Sequence, residues 1–107
     1  MKKFPKWFEK TYGTPAPADL LEYFTEHPDG LTVEQGSLYT AEDMVAYTEE
    51  RELGGKGVLY LGTGASLTVL LLRAKDGKVF LVDQTDFQSV DATFRDLGTC
   101  KSVMGFF

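Results

Sequence analysis

Nucleophilic catalysis needs a base beside the nucleophile, and the 107 residues hold one histidine, His27, and one cysteine, Cys100. His27 directly precedes Pro28 at the end of a helical pattern. An imidazole there can meet the last free carbonyls and the helix dipole, so a structural role is expected. Cys100 precedes Lys101, which could lower a thiol pKa, but a lone cysteine is more often a small buried hydrophobe, and that is the expectation. One His and one Cys cannot supply a zinc tetrad. Asp83, Asp86 and Asp91 could offer carboxylates to a hard cation, yet their spacing lacks the alternation and central glycine of an EF-hand loop. Turn and cap duty is expected of them, with no metal and no cofactor. Gly54-Gly55-Lys56-Gly57 lacks the GxxxxGK[ST] frame, and Gly62-Thr63-Gly64 lacks a third glycine in register; both read as turns. The chain is therefore read as a non-enzyme with no catalytic residue.

The remaining chemistry is charge. Net charge is −5 and pI about 4.7, which argues against a generic nucleic-acid binder, because phosphate affinity comes from clustered Lys and Arg. The charge is segregated. Residues 1–12 carry four lysines against Glu9, residues 13–53 carry ten acids against Arg51 alone, and residues 54–107 carry six bases against five acids. Asp19, Glu22 and Glu26 fall at i, i+3 and i+7, one row of a helix, while Glu42, Asp43, Glu49 and Glu50 span one side of another. A charge run is most often a plain solvated face. Acids of one sign on two helices also raise the local potential and steer a basic partner. These seven residues are the candidate partner-binding set.

The elements that position them follow from periodicity. Phe4, Trp7, Phe8, Thr11 and Tyr12 fall at helical spacing opposite Lys3, Lys6 and Lys10. Such a helix could lie on an anionic membrane, but docking of its aromatics on a core is expected. A second helix runs from about Pro17 to His27, with Leu20, Leu21 and Phe24 as its buried stripe. Residues 31–36 read as loop and Ser37–Tyr39 as a short strand. Thr40 is a good N-cap for a third helix, with Asp43 completing a capping-box variant. Ala41, Met44, Val45 and Thr48 face inward, and Leu53-Gly54-Gly55 ends the helix with residues that tolerate left-handed backbone. Val58–Leu61, Leu67–Arg73 and Val79–Val82 read as three strands of an antiparallel meander, joined by Gly62–Ala65 and Ala74–Gly77. The middle strand is apolar on both faces and should be central. Ser89 is the expected cap of a last helix, with Val90, Phe94 and Leu97 inward and Gly98 as terminator. The tail Thr99–Phe107 is expected to pack on the core rather than stay exposed as a contact patch. The fold class is α+β, an antiparallel sheet packed against several helices, in one domain over residues 1–107. No apolar h-region follows the basic start, and the longest apolar run, Val69–Leu72, is too short for a bilayer, so a cytoplasmic protein is expected.

The element order also resembles a known family. Pro17-Ala18-Asp19-Leu20-Leu21-Glu22-Tyr23-Phe24 leads into a glycine-bearing turn, and a short strand leads into Leu38-Tyr39-Thr40-Ala41-Glu42-Asp43-Met44. Then come the Val58–Leu61 strand, a glycine turn, and a hairpin carrying Asp76-Gly77-Lys78-Val79. Over roughly residues 15–97 this resembles the SUKH superfamily, which includes bacterial immunity proteins and the yeast cell-wall-synthesis regulator family. The likeness implies an α+β fold and a cytoplasmic antidote to a toxin of interbacterial competition. It implies binding that toxin and blocking its active site or substrate path. Many toxins met by the family are basic nucleases, and nucleotide- or ADP-ribose-modifying domains are equally open. The other reading is a non-enzymatic protein-binding or regulatory module with no toxin partner.

Overall fold

A computed structural model describes residues 3–106; Met1, Lys2 and Phe107, and the expectations that fall on them, lie outside the described residues. The chain runs α1 (Phe4–Tyr12), α2 (Ala18–Glu26), β1 (Leu31–Val33), β2 (Gly36–Leu38), α3 (Ala41–Glu50), a 3-10 turn (Gly54–Lys56), β3 (Val58–Gly64), β4 (Thr68–Arg73), β5 (Val79–Asp83), β6 (Asp86–Phe94) and α4 (Leu97–Met104). This is an α+β fold. The strands form one antiparallel sheet in the order β1-β2-β3-β4-β5-β6. No helix among the described residues is long and apolar enough to cross a membrane.

All four helices contribute to a core on one face of the sheet. Phe4 and Phe8 of α1, Leu20, Tyr23 and Phe24 of α2, Met44 of α3, and Leu97 and Cys100 of α4 meet Leu59, Leu61, Leu70, Leu72 and Val79. The alternate residues Tyr60, Val69, Leu71 and Val82 form a second apolar cluster with Leu53. β4 is therefore central and covered on both faces, as its two-sided apolar pattern predicts. The second cluster is roofed from the end of α3. Tyr47 stacks on Tyr60 at 5.0 Å between ring centres, and the Arg51 guanidinium lies over both rings at 5.0 and 4.9 Å.

Several local expectations need correction. Residues 31–36 are not loop: Leu31–Val33 pairs with Gly36–Leu38 across the two-residue turn Glu34-Gln35. Gly62 and Gly64 belong to β3 rather than to a link, because β2 approaches so closely that a Cβ on Gly62 would run into the Ser37 carbonyl. Leu67 sits in the following turn, with φ +63° and 75% exposure, so β4 starts at Thr68. At the end of α3 the left-handed residues are Glu52 and Gly57, while Gly54 and Gly55 form the 3-10 turn between them.

The largest departure is at residues 86–94. They form β6 rather than a helix, and Val90 is exposed. Pairing with β5 decides the outcome, from Val79↔Phe94 to Asp83↔Asp86, with register shifts that bulge the strand. The last helix starts later, capped by Asp96, whose carboxylate accepts the Thr99 N–H at 2.7 Å. In the tail, Cys100 and Phe106 are buried, whereas Val103 is 68% exposed.

Candidate functional site

Thr40 Oγ1 accepts the Asp43 N–H at 3.1 Å, so α3 begins where its cap residue directs. Ala41, Met44 and Thr48 point to the core, and Glu42, Asp43, Glu49 and Glu50 are left exposed as the spacing predicts. Glu50 approaches its neighbour Arg51 at 3.8 Å, an exposed contact of small energetic weight.

The α2 acids are placed differently. Asp19 is half-buried, and its carboxylate accepts the Gly98 N–H at the start of α4 at 3.3 Å. Glu26 is exposed but meets Lys101 of α4 at 3.7 Å, and Glu22 is exposed. α2 packs on α4, so two of its three acids serve that junction. The sequence pattern also missed Tyr23, which is fully buried with its hydroxyl shared between the Leu38 and Tyr39 carbonyls at 2.9 and 3.0 Å. The lysine-bearing α1 touches both acidic helices. It packs on α3, and Phe4 meets Phe24 of α2 edge-on at 4.8 Å.

Between α1 and the end of α3 lies a cleft of about 510 Å³ lined by Trp7, Thr11, Thr48, Glu49, Glu52, Gly54 and Gly55. Neither the Glu49 nor the Glu52 carboxylate has a partner among the described residues. Glu52 was not in the set read from periodicity, because it follows the last helical turn. Its left-handed backbone, φ +54°, is what returns it to the helix end.

The residues weighed for catalysis take other duties. The Cys100 thiol contacts Met104 Sδ at 3.7 Å, and burial pushes its pKa up to about 12, which leaves it a thiol at neutral pH despite Lys101 next door. His27 follows α2, its N–H bonded to the Tyr23 carbonyl at 2.8 Å and its ring 5.6 Å from that of Tyr23. Asp83 accepts the Thr85 N–H and hydroxyl at 2.8 and 2.6 Å, bonds that hold its carboxyl below the usual range, and Asp86 accepts the Gln88 N–H at 3.0 Å. Among the described residues no group of three His, Cys, Asp or Glu is placed to hold a metal ion.

No protein-family model matches the chain, and no curated protein does.

Proposed function

We propose that the protein neutralises a cognate bacterial toxin in the cytoplasm by binding a basic surface of the toxin and occluding its active site or substrate path. The observation that carries this reading is the acidic face of α3, continued by Glu49 and Glu52 into a cleft against Trp7. Two carboxylates beside an indole suit a partner's Lys or Arg side chain, which gains charge pairing and a cation–π contact together. The SUKH-like order of elements read from the sequence supports the same role. The partner is a basic nuclease or nucleotide-modifying domain. Glu42, Asp43, Glu49 and Glu50 give α3's share of the surface, with Glu22 on α2; Asp19 and Glu26 contribute chiefly by holding α4.

The test is association with the toxin domain encoded by a neighbouring gene. Reversing Glu42, Asp43, Glu49 and Glu50 to Lys should slow association by roughly 10- to 100-fold at low salt, and the gap should narrow as ionic strength rises. Unchanged binding by the folded variant would remove α3 from the interface. Lack of any toxin binding by the native protein would leave the toxin-free regulatory module as the better account.

A further inference from the structure

Across Gly54 and Gly55 from the acidic cleft lies a second one, of about 480 Å³, and its lining contains no Asp or Glu. In a protein of net charge −5 this is the reverse of what composition alone leads one to expect. Lys56, Arg73 and Lys75 line it, with Thr11 and Thr14. We propose that this cleft binds a small phosphate-bearing anion.

Three observations converge. The first is that one of the cations, Arg73, is held in place. Asp76 takes the Nε and Nη2 atoms of Arg73 at 3.1 and 2.5 Å, and the Phe80 ring lies 5.0 Å from the guanidinium. That clamp fixes the guanidinium and leaves Nη1 without a protein acceptor among the described residues. Asp76 itself is not part of the lining. The second is that the walls are tied together by hydrogen bonds. The Ala74 N–H donates to the Gly57 carbonyl at 2.9 Å, joining the turn that carries Lys56 to the one that carries Lys75. Tyr12, between the two threonines, donates its hydroxyl to the Val58 carbonyl at 2.5 Å.

The third is unspent donor capacity. The ammonium groups of Lys56 and Lys75 and the hydroxyls of Thr11 and Thr14 have no hydrogen-bonding partner among the described residues. Arg73 is already paired with Asp76, so the uncompensated charge of the concavity is that of Lys56 and Lys75, and a dianion answers it while using donors that water alone now serves. Gly55 and Gly57 line the cleft with backbone alone, and a Cβ on either would meet nothing within 4 Å. The volume exceeds what a lone phosphate fills and falls in the range of small-molecule sites, about 300–1,000 Å³. The cleft thus has room for a phosphate group with or without an attached small molecule.

Amide chemical-shift titration with pyrophosphate, at constant ionic strength set with chloride, tests the site. The expected result is a saturating response confined to residues 54–57, 73–75 and Thr11–Thr14, weakened at least tenfold in a Lys56→Ala, Lys75→Ala double variant. Both side chains are exposed, and an unchanged thermal transition would show that the variant folds. A parallel titration with AMP identifies the source: tighter binding than pyrophosphate assigns a nucleotide, and equal or weaker binding assigns the phosphate group alone. A linear response spread over Lys3, Lys6 and Lys10, or equal binding by the double variant, would overturn the proposal.

Discussion

Tyr23 has no exposed surface, yet it carries a hydroxyl, and the fold tolerates it because two consecutive carbonyls, Leu38 and Tyr39, converge on that oxygen. The bond ties α2 to the segment between β2 and α3, 15 and 16 residues away. Tyr23→Phe keeps the ring and removes both hydrogen bonds, so urea unfolding should show a loss of about 1–2 kcal/mol. Burial also pushes the Tyr23 and Cys100 pKa values up to about 12 each. The sign of the pH dependence follows. The folded state holds these protons to higher pH than the unfolded chain, whose thiol titrates near ~8.5 and phenol near ~10. Stability from this source is complete below about pH 8.5 and declines as pH rises toward 12. Cys100 alone should lower stability by about 1–2 kcal/mol between pH 7 and pH 10, and Cys100→Ala should remove that part of the slope in denaturation curves taken at both pH values.

Thr48 shows the same economy at the level of an element. β2 pairs only with residues 62–64 of β3, so the rest of that strand edge needs other partners. Tyr39 N–H reaches the Leu61 carbonyl at 3.0 Å, and the Tyr60 N–H donates to the Thr48 hydroxyl of α3 at 2.9 Å. A helix side chain thus closes an open sheet edge. Thr48→Val is nearly isosteric and should cost about 1–3 kcal/mol by leaving that amide unpaired, with faster hydrogen exchange at Tyr60 as the local readout. The start of α3 was legible in the sequence because a cap and its N–H lie three residues apart. β6 was not, because Val90, Phe94 and Leu97 happen to fall at helical spacing and only β5, distant from that window, resolves the ambiguity. Among the candidate acids, α3's exposure was readable from the same local period. The engagement of Asp19 and Glu26 was not, since it depends on where α4 begins.

For the whole molecule, the charge segregation visible along the chain becomes a spatial pattern that the linear count did not contain. The basic α1 touches both acidic helices, and acidic and cationic clefts stand back to back across Gly54 and Gly55. Composition could state how much charge of each sign there is, but the sorting of it into two concavities required the 3-10 turn and the β4–β5 hairpin to meet. The sheet has a property of another kind, because every strand lies beside its predecessor in the chain. Four of the five pairings are closed by a hairpin, and only β2–β3 spans a helix, so little chain entropy is lost before each contact forms. Speed follows from that order. Stopped-flow refolding should give a main phase on the order of milliseconds, and a main phase lasting seconds would show that growth of the meander does not set the rate.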